Sequence, residues 1–201
     1  MFRLTFIVLA AGYSNRFGKA DKRTLLINNK TSLLEHVVEQ IPKIEYAESI
    51  IVVRDKAKWQ SLDLITNTKL IENPEAKTGM KGSLLVALNA LSPETTAFMV
   101  CLADMPLLRT PHYLELINTF KRSYIDNNPL IVMPKVNQSL FGHPRLFSHH
   151  FKNIFLSSPK EVPNKELIKQ SSANVQYLET QDEAYLLDID EQKDLNILSR
   201  I

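Results

Sequence analysis

The sequence predicts an α/β fold, a three-layer sandwich around a mostly parallel, Rossmann-like sheet, on the strength of two observations. Short runs of β-forming residues recur along the chain and alternate with segments of helical periodicity. Several of these runs are apolar throughout, which is typical of strands covered by helices on both faces. The predicted strands are 6–9, 50–53, 69–71, 98–102 and 130–133.

Local signals place three helices between these strands. Ser32, with a glutamate three residues later, predicts a capped helix start, and Pro42 ends the apolar stripe that follows. A second helix is expected after Gly82, and a third from Thr110, where a proline suits the first turn. The segment 157–174 is polar and weakly periodic, so we expect a lid or a divergent insertion there.

Length and composition limit the kind of protein. A chain of 201 residues with 44% hydrophobic residues can bury one core, so we expect a single domain over residues 1–201. A net charge of +2 is too small for a dedicated nucleic-acid binder. The chain has no apolar run of about 20 residues, so we expect no membrane partner and a cytoplasmic location. The single cysteine, Cys101, is expected to be a packed core thiol.

A loop of small residues follows the first predicted strand. Residues with little bulk let a backbone approach a ligand closely, so its amides could bind a base or a phosphate. These residues are Leu9, Ala10, Ala11 and Gly12. Arg16 and Lys22 then supply positive charge for a triphosphate. The alternative is an ordinary turn with exposed basic residues.

Aspartate residues follow two apolar runs of the sequence. Asp104 follows the strand that ends at Leu102, where ligands bind in open α/β sheets, although it could instead cap a turn. Asp188 and Asp190 lie two residues apart and could face one cation together. We assign Asp188 to a metal and Asp190 to the cap of a helix that starts near Glu191, and the reverse assignment remains open.

Two further segments carry candidate binding residues. Gly79 and Ser83 precede the second predicted helix, whose N-terminus could accept an anion or the ribose and base edge of a nucleotide. The alternative is glycine punctuation with a serine cap. His143, in a Gly-His-Pro sequence, could hydrogen-bond an acidic acceptor substrate, or could be a structural histidine.

Taken in order, these segments resemble the molybdenum-cofactor nucleotidyltransferases, most closely the cytidylyltransferase branch. The resemblance rests on Leu-Ala-Ala-Gly-x-Ser-x-Arg-Phe-Gly with a following lysine, Gly-Met-x-x-Ser-Leu, Asp-Met-Pro, Gly-His-Pro and Asp-Ile-Asp, from Leu9 to about Leu195. It implies a fold of the nucleotide-diphospho-sugar transferase type. It also implies that the first loop and residues 79–83 hold the nucleotide, Arg16 and Lys22 hold its phosphates, and Asp104 and Asp188 bind Mg²⁺.

The resemblance also implies a reaction: Mg²⁺-dependent transfer of CMP from CTP to a phosphorylated pterin acceptor, molybdopterin carrying molybdenum, with release of pyrophosphate. A molybdoenzyme is then a possible partner. The guanylyl branch has Leu-Ala-Gly-Gly, and the extra methyl of Ala11 would narrow the space beside the base, which favours CTP over GTP.

Two departures from the family pattern leave alternatives open. The lysine usually lies closer to the second glycine of the loop, which makes Lys19 a competitor of Lys22. Residues 158–165 also stand where the family commonly has Gly-Asp-x-Gly on its acceptor side. The alternatives are nucleotidyl transfer to a sugar phosphate or polyol phosphate, and a non-catalytic carrier or chaperone of a molybdoenzyme.

Overall fold

The computed structural model describes residues 1–18, 20–27, 30–125, 128–159 and 162–201. Its strands are β1 (Leu4–Ala10), β2 (Leu26–Ile27), β3 (Thr31–Ser32), β4 (Ala47–Val53), β5 (Thr68–Glu72), β6 (Ala97–Leu102), β7 (Ile131–Val136), β8 (Leu140–Phe141), β9 (Arg145–Ser148) and β10 (Val175–Thr180). Its α-helices are α1 (Leu33–Glu39), α2 (Gln60–Asp63), α3 (Gly79–Asn89), α4 (Thr110–Ser123), α5 (His150–Ser157) and α6 (Asn164–Gln170). A 3-10 helix, Gln192–Arg200, precedes the last residue.

The central sheet confirms the mostly parallel prediction. Across the described residues it has eight strands, in the order β10-β7-β9-β6-β1-β4-β5, with β8 paired to β7. β1 is parallel to both β4 and β6, β5 continues parallel beyond β4, and β10 is parallel to β7. β9 is antiparallel to β6 and β7, so the sheet is mixed at this point. β2 and β3 form a separate antiparallel pair.

The alternation of side chains along β1 builds a core on each face of the sheet. Leu4, Phe6 and Val8 pack with buried residues of α1 and α4, whereas Ile7 packs on the opposite face with residues of α3, α5 and α6. Successive side chains of a strand point to opposite faces, so a strand apolar throughout joins two helical layers. Helices therefore cover both faces of the sheet, which confirms the predicted three-layer sandwich.

All five predicted strands are present, as β1, β4, β5, β6 and β7, but the two-residue strands β2, β3 and β8 and the longer strands β9 and β10 were missed. β9 has only four residues, too few to show a period. β10 lies at the edge of the sheet, and its side chains are half-buried or exposed. A strand in this position does not need the apolar run that identifies a central strand.

The helix predictions were partly right. Ser32 caps α1 as expected, since its hydroxyl accepts from the Glu35 amide at 3.2 Å and the Glu35 carboxylate accepts from the Ser32 amide at 2.9 Å. α4 begins at Thr110 as predicted. α3, expected after Gly82, instead begins at Gly79, whose φ of +81° supplies the sharp entry.

Apolar side chains of the segment 157–174, and that of Cys101, lie in or against the hydrophobic core. The segment 157–174 contains α6, and its apolar side chains Leu167 and Ile168 are buried in the core rather than held in an open lid. Cys101 is fully buried in β6, and burial raises the pKa of its thiol. Within the described ranges, no helix has the length and apolar content to cross a membrane.

Candidate nucleotide-binding site

The carboxyl ends of two central strands and the C-terminal segment meet at one place. β1 and β6 run side by side, with Leu9 opposite Leu102, so the loop after β1 lies next to Asp104. The Ile189 amide donates to the Asp104 carbonyl oxygen at 2.9 Å, which attaches the C-terminal segment to the same edge. Residues far apart in sequence therefore surround one region above the sheet.

A cavity of about 680 Å³ opens in this region. It brings together the residues predicted to hold the nucleotide, its phosphates or the metal, which are Leu9, Ala10, Ala11, Gly12, Arg16, Lys22, Gly79, Ser83, Asp104 and Asp188. Ala10 and Ala11 contribute little exposed surface, since they are only 2% and 1% exposed. The sequence-predicted residues therefore line one site, while the role of each remains a prediction.

Three carboxylates form an acidic cluster in the floor of the cavity. One oxygen from each of Asp104, Asp188 and Asp190 lies within 4.8 Å of the other two. Burial, and the negative charges of Asp104 and Asp190, raise the pKa of Asp188. Asp104 Oδ1 is buried and has no hydrogen-bond partner among the described residues. Carboxylate oxygens so arranged suit a hard divalent cation such as Mg²⁺ or Mn²⁺.

Asp190 is not the helix cap that the sequence suggested. Glu191 takes the capping position of the C-terminal 3-10 helix, and the Asp194 carboxylate accepts from the amides of Asp190 and Glu191 at 3.0 and 2.7 Å. The Asp190 carboxylate instead pairs with Arg16 at 2.9 Å and Lys22 at 3.0 Å. Because Asp194 satisfies the local amides, Asp190 is free to join the cluster beside Asp188.

Lys22 points into the acidic cluster. Its ammonium donates to Asp104 Oδ2 at 2.7 Å, to the Ile189 carbonyl oxygen at 2.7 Å and to Asp190 Oδ1 at 3.0 Å. Burial opposes the charge, but the two carboxylates outweigh it and raise the pKa of Lys22. Lys19, its competitor for the phosphates, lies outside the described residues. Lys22 would have to change partners to bind a phosphate.

Two arginines that the sequence analysis missed hold the loop after β1. The guanidinium of Arg23 is buried and donates to the Ala10 carbonyl oxygen and to the Asp21 carboxylate. Arg54 donates to the Gly12 carbonyl oxygen at 3.2 Å. Burial would raise the pKa of Asp21, but the hydrogen bonds and charges of the arginines lower it. The basic character of 22–23 was visible in the sequence, but its contact with the loop was not.

The start of α3 forms another wall. A Cβ added at Gly79 would meet no atom within 4 Å, so this backbone faces open space. Ser83 lies inside the helix and its hydroxyl accepts from the Asn73 amide group at 3.0 Å, so it is not the serine cap considered as an alternative. This bond ties α3 to the end of β5.

His143 does not line this cavity. It lies in a second cavity of about 370 Å³, which shares Met80 with the first and also contains Arg145 and Lys165. Burial and the positive charge of Arg145 lower the pKa of His143 to about 3. His143 is therefore neutral near pH 7, and positive charge in this cavity comes from its neighbours.

Comparison with known proteins shows the family and the fold of the chain. The family model described as the MobA-like NTP transferase domain matches residues 6–175. The chain belongs to this family. The matched residues include the loop after β1, the start of α3, Asp104 and His143.

Curated relatives are similar in sequence to part of this MobA-like domain. The bifunctional protein GlmU of Lactococcus lactis is 26% identical over 140 residues, 70% of this chain and 30% of that protein. The bifunctional protein GlmU of Solibacter usitatus is 31% identical over 116 residues, 57% of this chain and 25% of that protein. The chain thus spans less than a third of the length of these relatives.

Solved structures show the same fold over nearly the whole chain. Rv0371c of Mycobacterium tuberculosis has a TM-score of 0.80 at 21% identity, covering 100% of this chain and 99% of that one. Its complex with manganese has a TM-score of 0.68 at 21% identity, covering 98% and 97%. A CMP:2-keto-3-deoxy-manno-octonic acid synthetase complexed with CTP has a TM-score of 0.74 at 11% identity, covering 98% of each chain.

The family model ends at Val175, so Asp188 and Asp190 lie C-terminal to the residues that it matches. The contact between Ile189 and the Asp104 carbonyl oxygen joins them to the matched part of the site.

Proposed function

We propose that this MobA-like domain is a magnesium-dependent enzyme that transfers CMP from CTP to a phosphorylated acceptor and releases pyrophosphate. The observation that supports this most is a single cavity that combines the small-residue loop after β1, the start of α3 and three clustered carboxylates. An acidic cluster beside a loop suited to close backbone contact fits a metal-bound triphosphate.

The proposed reaction needs orientation and charge neutralisation more than acid or base catalysis. A phosphate oxygen of the acceptor attacks the α-phosphorus of CTP and forms a new P–O bond. The bond from the α-phosphorus to the oxygen that leads to the β-phosphorus breaks, and its electron pair leaves with pyrophosphate. The acceptor phosphate is already deprotonated near pH 7, so no general base is required.

The side chains divide this work. The loop of residues 9–12 would hold the nucleotide, together with Gly79 and Ser83, while Arg16 and Lys22 would stabilise charge on the phosphates. Asp104 and Asp188 would hold Mg²⁺, with Asp190 as a third carboxylate. When bound, the cation would neutralise charge on the phosphates. The manganese complex of Rv0371c, which shares the fold, supports a divalent cation in this role.

Two observations support CTP as the donor. The structural neighbour complexed with CTP has the same fold, and this chain has Ala11 where the resembling guanylyl branch has glycine. Ala11 belongs to the buried hydrophobic cluster that also contains Leu84 and Leu88 of α3. We therefore infer that Ala11 limits the base pocket by fixing the distance between the loop and α3.

The second cavity supports an anionic acceptor. It adjoins the nucleotide cavity at Met80, and Arg145 and Lys165 supply positive charge beside the neutral His143. Because the two cavities share Met80, an acceptor phosphate bound in the second cavity would lie next to the nucleotide cavity. We propose molybdopterin carrying molybdenum as the acceptor, His143 as one of its hydrogen-bond partners, and a molybdoenzyme as the recipient of the product.

A pyrophosphate-release assay tests this function. Each of the four ribonucleoside triphosphates is supplied with Mg²⁺ and, in separate reactions, with molybdenum-bearing molybdopterin, a sugar phosphate or a polyol phosphate. We expect release with CTP and the pterin. Release only with a sugar or polyol phosphate would identify the alternative acceptor class. Binding of the pterin without turnover of any triphosphate would indicate a carrier instead.

A further inference from the structure

The ammonium group of Lys22 lies where a cation is needed in the acidic cluster. All three of its hydrogens are used, by Asp104 Oδ2, Asp190 Oδ1 and the Ile189 carbonyl oxygen. Its side chain is only 12% exposed. In the absence of a metal, Lys22 therefore acts as a counter-ion to the carboxylates that would bind the metal.

The negative charge of the acidic cluster is only partly neutralised by the basic side chains that pair with it. Asp104, Asp188 and Asp190 can carry three negative charges, and among the residues that the structure describes Lys22 and Arg16 form ion pairs with them. Asp104 Oδ1 is buried and lacks a partner among the described residues. The cluster can still accept positive charge, but a divalent cation bound to these oxygens would lie beside the ammonium and repel it.

Lys22 has another acceptor within reach once a nucleotide is bound. It lines the same cavity as the loop after β1 and Gly79. A lysine carries its charge on a flexible four-carbon stem, so its head group can exchange partners without movement of the backbone. The phosphates of a bound triphosphate would offer oxygens to replace those of Asp104 and Asp190.

We propose that Lys22 is a displaceable internal cation that couples metal binding to nucleotide binding. In the nucleotide-free protein it occupies the cluster and weakens the binding of free metal. When the metal–nucleotide complex enters, the metal takes the carboxylates and the ammonium moves to the phosphates. The cost of breaking the lysine contacts is then borne once by both ligands, which makes their binding cooperative. This inference rests on the proposed function for the identity of the triphosphate.

Mn²⁺ binding without nucleotide tests the first half of the proposal. Isothermal titration compares wild type, Lys22→Met and Lys77→Met, where Lys77 lines the same cavity but forms no ion pair within the described ranges. We expect Lys22→Met to bind Mn²⁺ roughly tenfold more tightly than wild type, in the usual range of coupling between sites. Lys77→Met should bind it as wild type does.

Arg16→Met separates displacement from a general charge effect. Arg16 pairs with Asp190, but its side chain is 71% exposed and leaves the cluster accessible. An equal gain in Mn²⁺ affinity for Arg16→Met and Lys22→Met would show that only net charge matters and would overturn the proposal. The same conclusion follows if Lys22→Met binds Mn²⁺ no more tightly than Lys77→Met.

Thermal melting and a CTP analogue that cannot be cleaved supply the remaining readouts. Lys22→Met should melt at a lower temperature than wild type without metal and be stabilised more by Mn²⁺. The analogue should increase the Mn²⁺ affinity of wild type, and this increase should be smaller in Lys22→Met. An equal increase would contradict the coupling. Lys22→Gln, which retains a hydrogen-bond donor, replaces Lys22→Met if the latter does not fold.

Failure of this inference is distinguishable from failure of the proposed function. A protein that releases no pyrophosphate with any triphosphate would refute the transferase function. The nucleotide-free Mn²⁺ titration would still decide whether Lys22 excludes free metal.

Discussion

The two carboxylate oxygens of Asp104 have different surroundings. Oδ2 accepts from Lys22 at 2.7 Å, whereas Oδ1 is buried without a partner among the described residues. A buried oxygen without a hydrogen bond costs about 1–3 kcal/mol, and a bound cation would remove this cost. At the scale of single residues, Asp104 is therefore the position where a metal should matter most.

We predict that Asp104→Ala abolishes metal-dependent turnover and leaves the fold intact. Loss of a metal contact should cost about 3 kcal/mol or more of transition-state stabilisation, roughly 100-fold in rate. The fold should survive because Lys22 retains Asp190 and the Ile189 carbonyl oxygen. Pyrophosphate release and circular dichroism measure the two properties. A folded variant with a near wild-type rate would exclude Asp104 as a metal ligand.

An added methyl group should destabilise the fold at Gly142 but not at Gly12. A Cβ at Gly142 would lie 2.2 Å from the Tyr185 carbonyl oxygen, in the segment that leads to Asp188. Gly142→Ala should lower the free energy of unfolding by about 1–3 kcal/mol and weaken metal binding by moving that segment. Denaturant unfolding and Mn²⁺ titration measure both effects.

Gly12→Ala is the matched control. A Cβ at Gly12 would meet no atom within 4 Å, yet Gly12 lines the nucleotide cavity. Its stability should remain within about 0.5 kcal/mol of wild type, while its dissociation constant for CTP should rise. Equal stability losses in the two variants would show that the Gly142 contact is not specific.

The choice of base is also a prediction at the residue scale. One methyl group can change a preference by about 1–3 kcal/mol, so CTP should be used over GTP by roughly tenfold or more. Ala11→Gly should narrow this gap. Because Ala11 is 1% exposed and packs in the core, the variant should also lose some stability. Competition assays with equal CTP and GTP test this. A wild-type preference for GTP would refute CTP as the donor but would leave the proposed nucleotidyl transfer unaffected.

At the scale of elements, α3 connects the two cavities. Its first turn lines the nucleotide cavity through Gly79 and Met80, and Met80 also lines the second. The adjacent Lys81 is buried and donates to the carbonyl oxygens of Pro159 and Val162 at 2.5 and 2.8 Å. Lys81 thereby fixes the entry to α6, which carries Lys165 of the acceptor cavity.

Lys81→Met should loosen this connection without unfolding the protein. Methionine keeps much of the buried stem but removes both hydrogen bonds, at a cost of about 1–3 kcal/mol. Hydrogen exchange should therefore accelerate for the amides of α6, while those of β1 and β6 remain protected. Lys77→Met, one turn earlier and exposed, serves as the control. Unchanged protection of α6 in Lys81→Met would show that Lys81 does not anchor it.

At the scale of the whole molecule, His143 makes stability depend on pH. Its pKa falls from 6.5 to about 3 on folding, so between these values the unfolded chain binds a proton that the folded protein excludes. The free energy of unfolding should therefore decrease as pH falls through this window. The stability that His143 contributes is present above its unfolded pKa.

His143→Asn should remove this part of the acid sensitivity. The difference in the free energy of unfolding between about pH 7.5 and about pH 4.5 should be smaller than in wild type by roughly 3 kcal/mol. Denaturant titrations at both pH values measure it, and His150→Asn, at an exposed position, should leave it unchanged. An unchanged difference in His143→Asn would show that His143 is protonated in the folded protein.

The central strands and most residues of the nucleotide cavity were predictable from the amino-acid sequence. Apolar runs identify strands buried on both faces, because side chains on both faces of such strands pack against helices. The ends of parallel strands then place the loop after β1 beside Asp104. Edge and short strands such as β10 and β9 left no such pattern, since half-buried residues are under weaker constraint.

The pairing of charged side chains, in contrast, became visible only once the chain was folded. Asp190 was expected to cap a helix, but Asp194 satisfies the nearby amides and leaves Asp190 to bind Lys22 and Arg16. Lys22 contacts Asp190 across 168 positions of sequence. Ion pairs have no period along a chain, and their partners are set by which segments the fold brings together. The hydrogen bond from Arg54 to the Gly12 carbonyl oxygen was not predictable either, because it depends on β1 and β4 lying side by side.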